Sequence, residues 1–250
     1  MSSTKTTISL QDTGKFAGAH NHEFLDLFRK ILEKNLSKDF PGIVEFFSNT
    51  HRLDIMRRLM RQYFHCGEGT VLNIGSGVFA TELFVDELSK CRFVSFDYTR
   101  DFAKIFPILR KEGKLGKTSF FIGDALNAEF KEEVFDIVLM HDLLYENALN
   151  LTPLLNKYDA YIRPGGLIFL DVMDIRARRL WKLLGREKEY HRYNIPDVLN
   201  LLRESGYEVL EVVPNLGAQK GFPKVLRAIF WYTLGIVNSH AIIARKVGKA

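Results

Sequence analysis

Val71-Leu72-Asn73-Ile74-Gly75-Ser76-Gly77-Val78-Phe79-Ala80 decides the fold. A short apolar run stops at two glycines, and a helix-like stretch over residues 79–89 follows. Glycine–x–glycine–x–x–alanine between a strand and a helix is the pattern of a nucleotide-binding turn. The first glycine permits the tight turn, the second lets a ligand approach the backbone, and Ala80 is small enough for close helix–strand packing. A glycine-rich turn alone is a weak signal. Asp97 strengthens it: it ends the next strand, Arg92-Phe93-Val94-Ser95-Phe96, about 20 residues on, where a carboxylate hydrogen-bonds ribose hydroxyls. The alternative for Asp97 is a helix cap at a strand–helix junction. Turn and carboxylate together point to a nucleoside ligand.

Outward from this turn, strands and helices alternate. Ser119-Phe120-Phe121-Ile122 reads as a third strand, residues 135–140 as a fourth, 167–170 as a fifth, and 194–204 as a helix stopped by Gly206. Residues 208–213 and 241–245 complete seven strands, with no obvious crossover helix between the last two. Such alternation implies βαβ units and a mostly parallel sheet. Before the first strand, Phe24, Leu27, Phe28, Ile31 and Leu32 recur at helical spacing. After a turn at Asp39-Phe40-Pro41-Gly42, Leu53, Met56, Leu59, Met60 and Tyr63 mark a second amphipathic helix. Arg57, Arg58 and Arg61 lie off its apolar face and read as a solvated surface. Residues 1–15 read as a loose, polar start.

Composition sets outer bounds. The 250 residues are 46% hydrophobic and 26% charged, ordinary for a soluble globular chain, and the net charge of +5 suits an anionic partner without requiring one. Cys66 and Cys91 have no spacing for a disulfide framework or a zinc site. The polar start lacks a signal core, and no apolar run reaches the ~20 residues of a membrane helix. A reducing, cytoplasmic setting is the default expectation.

The chain resembles the Rossmann-like (class I) S-adenosylmethionine-dependent methyltransferase superfamily from about residue 68 to 246. Residues 71–77 resemble its first motif, Phe96-Asp97-Tyr98 its ribose-binding strand end, and Phe121-Ile122-Gly123-Asp124-Ala125 its third motif. Residues 135–140 resemble its fourth strand and Arg163-Pro164-Gly165-Gly166 the turn before the fifth. The resemblance implies a seven-stranded, mostly parallel sheet with an antiparallel last strand and helices on both faces. It also implies S-adenosyl-L-methionine as cofactor, held by Asn73, Gly75, Ser76, Gly77, Asp97, Tyr98, Asp124, Ala125 and His141. Asn73 departs from the family, which often carries an acidic residue there. Residues 1–66 are expected as a helical extension or lid, and residues 67–250 as the cofactor-binding domain.

Methyl transfer from a sulfonium needs chiefly alignment, because the cofactor carries the electrophile. His141 and Asp142 follow the fourth strand at its carboxyl end, and His191 precedes a later helix; these three are the catalytic candidates. His141 has the alternative of contributing only its main-chain carbonyl, Asp142 that of a helix N-terminal charge, and His191 that of an exposed loop histidine. Asp142 with Asp171 resembles part of the site of metal-dependent catechol methyltransferases, but those carry Asp-Asn at the fifth strand where this chain has Asp171-Val172, so no metal is expected. The Asn/Asp-Pro-Pro-Tyr/Phe motif of amino-methylating nucleic-acid enzymes is absent; His141-Asp142-Leu143-Leu144 stands there instead. A small-molecule or lipid-like acceptor is expected, and nucleic acid is not. The rivals are an NAD(P)-dependent oxidoreductase, which would repeat the first βαβαβ half, and a non-catalytic S-adenosylmethionine-binding protein.

Two segments bear on partners. Residues 175–192 carry seven Lys/Arg against two Glu, which reads as a solvated face or an anion contact. Residues 221–237 hold Phe222, Phe230, Trp231 and Tyr232 among other apolar residues, flanked by Lys220, Lys224 and Arg227. This stretch is read as a lid over an apolar acceptor pocket, with peripheral membrane contact or core packing as competing roles.

Overall fold

The computed structural model describes residues 22–36, 51–65, 68–130, 135–178, 182, 190–216 and 222–247. The expected loose start, the turn at 39–42, Cys66 and most of the basic stretch beyond Arg178 lie outside these residues.

The elements are α1 (His22–Asn35), α2 (His51–Tyr63), β1 (Thr70–Ile74), α3 (Ala80–Phe84), β2 (Arg92–Asp97), α4 (Phe102–Lys111), β3 (Thr118–Ile122), β4 (Phe135–Met140), α5 (Leu151–Asp159), β5 (Ile162–Met173), α6 (Ile195–Glu204), β6 (Tyr207–Pro214), α7 (Phe222–Leu234) and β7 (Ser239–Lys246). The seven strands form one sheet in the order β3-β2-β1-β4-β5-β7-β6. The pairings β1–β2, β1–β4, β2–β3 and β4–β5 are parallel. β7 alone runs antiparallel, against both β5 and β6. The strand order reverses at β1, and the crevice there lies outside the carboxyl ends of β1 and β4.

Strand side chains alternate between faces, and two cores result. On one face Val71, Ile137, Leu139, Phe169 and Ile243 pack with Phe28 of α1, Leu53 and Met56 of α2, and Phe102 of α4. On the other, Leu72, Val138, Ile168 and Ile242 pack with Leu154 of α5 and Val198 of α6. The apolar stripe read in α2 is therefore part of the main core, with Met56, Leu59 and Met60 fully buried.

Several readings change. The helix after the glycine turn is shorter than expected: α3 ends at Phe84, and Val85 (φ −101°, ψ 86°) separates it from a single 3₁₀ turn, Asp86–Leu88. β5 begins at Ile162, five residues earlier than its apolar core, with a register shift against β4. α7 occupies the segment between the last two strands, where no crossover helix was obvious. Arg58 and Arg61 of α2 are exposed, as read, and Arg57 is half-buried, but all three carry ion pairs: Arg57 with Asp86 at 3.0 Å and Glu87 at 3.4 Å, Arg61 with Glu87 at 2.5 Å, and Arg58 with Glu211 at 2.8 Å. They tie α2 to the sheet domain. Among the described residues no helix is long and apolar enough to cross a membrane.

Candidate active site

β1 delivers the chain to the glycine turn, and β2 receives it: the N–H groups of Gly75 and Ser76 both donate to the Phe96 carbonyl, at 2.9 and 3.0 Å. Gly75 (φ +71°) and Gly77 (φ +55°) are left-handed, a conformation that side chains disfavour. A Cβ on Gly75 would stand 2.7 Å from Leu143 Cδ1, whereas one on Gly77 would meet nothing within 4 Å. The open side of the turn is therefore at Gly77. Phe79 is also left-handed (φ 63°), at a cost of about 1–2 kcal/mol for a non-glycine residue. Its fully buried ring packs edge-on against Phe120, centroids 4.9 Å apart, which holds it there.

Asp97 faces this turn. Its Oδ2 accepts the Gly77 N–H at 2.9 Å and its Oδ1 the Thr99 N–H at 2.8 Å. Burial pushes its carboxyl up, and the Thr99 and Gly77 N–H groups oppose that shift. Ser76 Oγ is buried without a hydrogen-bond partner. Tyr98 is almost fully exposed beside the end of β2. Asp124 accepts bonds from the Leu126 N–H at 2.9 Å and Asn127 Nδ2 at 2.6 Å, so it caps its own turn. The carbonyl of the buried Ala125 accepts from Tyr158 Oη at 2.7 Å.

Asn73 sits deeper than the rest. It is buried, and its Nδ2 donates to Glu82 Oε1 at 3.0 Å, which also accepts from Ser95 Oγ at 2.6 Å. Glu82 thus places a carboxyl group against Asn73, the position at which the resembled superfamily often carries an acid. Burial pushes the Glu82 carboxyl up, against the bonds from Ser95 and Asn73.

Beyond β4, His141 and Asp142 stand with Asp171 of β5 and Arg52 of α2. Arg52 Nη1 pairs with Asp142 Oδ1, and its Nε lies 3.7 Å from Asp171 Oδ2. His141 Nε2 is buried and has no hydrogen-bond partner. Burial lowers the His141 pKa, opposed by Asp171 and Asp142, while Arg52 adds to the lowering. Burial raises the Asp171 carboxyl, opposed by Arg52 and His141. Asp142 itself is left-handed (φ 54°) and exposed, a loop residue rather than a helix N-terminal charge. His191 approaches through its main chain, donating to the Tyr145 carbonyl at 2.8 Å, and its ring lies 4.5 Å from that of Tyr193.

The structure thus gathers Gly75, Ser76, Gly77 and Asp97 in one turn, and His141 with Asp142 in the adjoining loop, where Leu143 touches Gly75. It adds Arg52, Asp171 and Glu82. No spacing signal could have found Arg52, because α2 docks across 90 residues of chain to reach Asp142. Among the described residues no cluster of metal-ligating side chains is present.

No protein-family model and no curated protein matches this chain. Solved structures do. Magnesium protoporphyrin IX methyltransferase from Synechocystis PCC 6803, with bound S-adenosylhomocysteine, superposes at a TM-score of 0.59 and 11% identity, covering 90% of this chain and 95% of that one. The N-methyltransferase NodS from Bradyrhizobium japonicum WM9, also with S-adenosylhomocysteine, gives 0.58 and 17%, covering 88% and 99%. The [4+2]-cyclase SpnF gives 0.57 and 16%, covering 78% and 81%. The chain has the Rossmann-like fold of the class I S-adenosylmethionine-dependent methyltransferases.

Proposed function

We propose that the protein is an S-adenosylmethionine-dependent methyltransferase acting on a small, largely apolar acceptor. The observation that carries this reading is the left-handed Gly75–Gly77 turn with Asp97 bonded across it, set where the strand order reverses. The residues fit the cofactor. Asp97 accepts main-chain N–H groups through both oxygens at the end of β2, and its carboxylate is the acceptor for the ribose hydroxyls. The unpartnered Ser76 Oγ and the open approach at Gly77 suit the methionine part. Asp124 supplies an acceptor for an exocyclic amine, and Tyr98 and Ala125 shape the adenine slot.

When bound, S-adenosylmethionine supplies the methyl group as the electrophile of an in-line displacement. The chain's own part is alignment and proton handling. His141, held neutral by burial, takes the acceptor's proton at Nε2, and Asp171 and Asp142 favour the imidazolium so formed. Arg52 keeps those carboxylates in place, and His191 borders the acceptor side. The start of α2 closes one flank of the cleft. His51 Nε2 bonds to Asn215 beyond β6 at 2.7 Å, so this end of α2 spans the carboxyl ends from β4 to β6. With α7 it forms the lid over the acceptor.

A second reading has one observation in its favour: the likeness to a [4+2]-cyclase means that the same fold carries other chemistry. Native mass spectrometry of the purified protein, followed by titration with S-adenosylhomocysteine and with NAD, tests the cofactor. Bound NAD and no affinity for S-adenosylhomocysteine would overturn the proposal. Transfer of labelled methyl to a panel of phenols and amines separates the methyltransferase from a protein that binds the cofactor without transferring its methyl group.

A further inference from the structure

Between α6 and α7 lies a cavity of about 350 Å³. It is on the sheet face that α6 covers, and β4 and β5 separate β7 from the glycine turn on β1, so it is not the cofactor crevice. Ile195 and Leu199 of α6, Val212 of β6 and Trp231 of α7 make its apolar walls. Its size lies at the lower end of the range for small-molecule sites, about 300–1,000 Å³.

The polar groups at its rim carry almost no net charge. Arg176 is committed to Asp174, which is fully buried: Nε lies 3.2 and 3.1 Å from the two carboxylate oxygens and Nη2 is 2.7 Å from Oδ2. The N-terminus of α6 offers little to an anion, because Pro196 has no N–H and Asp197 already places an acid in the first turn. Asn194, its N-cap, makes no capping bond with its side chain.

His240 is the buried polar side chain of this lining. It is 2% exposed, it lines the cavity, and its Nδ1 has no hydrogen-bond partner. The Asp174 Oδ2 atom is 3.8 Å from that nitrogen, too far to bond. Burial pushes the His240 pKa down to about 4, with Asp174 opposing, so the ring is neutral at physiological pH. A neutral imidazole has one donor and one acceptor to offer. Buried polar atoms are nearly always paired, and one left open beside an apolar cavity calls for a partner. Trp231 stands edge-on to His240, centroids 5.8 Å apart, and presents an aromatic wall next to it.

We propose that this cavity binds a compact, uncharged, ring-bearing molecule with one hydroxyl or ring N–H, its ring against Trp231 and its polar group hydrogen-bonded to His240. The apolar walls select the ring, the single open imidazole selects one polar group, and Asp174 compensates the charge of Arg176 beside it.

The test uses the full chain and four probes: 4-methylphenol, toluene, benzoate and benzylamine, titrated by ligand-observed NMR. His240→Leu should weaken 4-methylphenol roughly fivefold to tenfold, the worth of one net hydrogen bond, and leave toluene unchanged. Leu199→Trp, which fills the cavity, should abolish binding of both while the melting temperature shows a folded protein. Benzoate and benzylamine should bind at least tenfold more weakly than 4-methylphenol. Undiminished binding by folded Leu199→Trp would overturn the site, and equal weakening of toluene and 4-methylphenol by His240→Leu would overturn the role of the imidazole. If His240→Leu does not fold, Leu199→Trp and the charged probes still decide. Because S-adenosylhomocysteine affinity is a separate measurement, failure here and failure of the methyltransferase reading are distinguishable.

Discussion

The Asp97 carboxylate reaches back 20 residues to accept the Gly77 N–H at 2.9 Å, so the group expected to hold the ribose also holds the glycine turn. The two roles are coupled, and Asp97→Ala should show both. We expect a loss of about 1.5–3 kcal/mol in S-adenosylhomocysteine binding, the usual worth of hydrogen bonds to a charged group, together with a lower melting temperature. Asp97→Asn keeps one acceptor oxygen and should lose less of each. Calorimetry and thermal unfolding of the two variants check this. A lower melting temperature with unchanged affinity would reduce Asp97 to a structural cap.

The two glycines of the turn should fail differently. At Gly75 a methyl group meets Leu143 Cδ1 at 2.7 Å in a left-handed backbone, so Gly75→Ala displaces the loop after β4 and costs stability. At Gly77 the space is open, and only the left-handed backbone is penalised, by about 1–2 kcal/mol. Gly77→Val should therefore fold yet lose S-adenosylhomocysteine affinity at least tenfold, because its side chain occupies the ligand's approach. Retained affinity in a folded Gly77→Val protein would remove the turn from the site.

How much of this was legible in the sequence depended on whether the signal was local. The glycine turn, Asp97 and the β1–β4 strands were, because an apolar run ending at glycines and a carboxylate at a strand end are contiguous features. α5 was also written locally, in Leu151, Leu154, Leu155 and Tyr158 with Asn150 capping Thr152, but Pro153 reads as a breaker. It is the third residue of the helix, in the first turn, where its missing N–H costs nothing. The first half of β5 was hidden because Arg163-Pro164-Gly165-Gly166 reads as a turn while its backbone continues to the Phe135–Ile162 pairing. Arg52 and Glu82 act only once α2 and α3 have docked, and no spacing encodes that.

Glu82 provides a pH test. Its folded pKa is raised by burial above the ordinary 4.5, so its protonated form is favoured in the folded protein. The sign follows from linkage: the stabilisation is fully present below about pH 4.5 and is lost as pH rises through the folded value. Glu82→Gln keeps an oxygen for Asn73 and Ser95 but cannot ionise. The difference in unfolding free energy should be flat below the ordinary value and shift in favour of the glutamine variant above it. Glu82→Ala should cost about 1–3 kcal/mol below the ordinary value by leaving Asn73 and Ser95 unpaired, and less as pH rises. A glutamine variant that grows less stable relative to the native chain as pH rises would contradict the buried, proton-holding carboxyl.

The role of α7 is open to a sharper test than its sequence allowed, because its aromatic residues part company. Trp231 turns inward to His240 at the start of β7. Since β7 is antiparallel, that start lies on the edge where the parallel strands end, the edge that also carries Gly75. Val225, Ile229 and Tyr232, spaced four and three apart, are exposed at 56%, 51% and 58%. Lid and membrane contact therefore rest on different side chains. The lid predicts that Trp231→Ser leaves S-adenosylhomocysteine affinity intact and lowers turnover of a soluble acceptor by roughly tenfold or more, the scale of a misaligned substrate. Membrane docking predicts that anionic liposomes sediment the protein, that Ile229→Asp and Tyr232→Ser abolish this, and that Trp231→Ser does not. We expect the first pattern, because the inward tryptophan stands at the strand ends whereas the outward stripe is short. Sedimentation lost in Tyr232→Ser, with normal turnover in Trp231→Ser, would make α7 a membrane contact and leave the acceptor pocket without its lid.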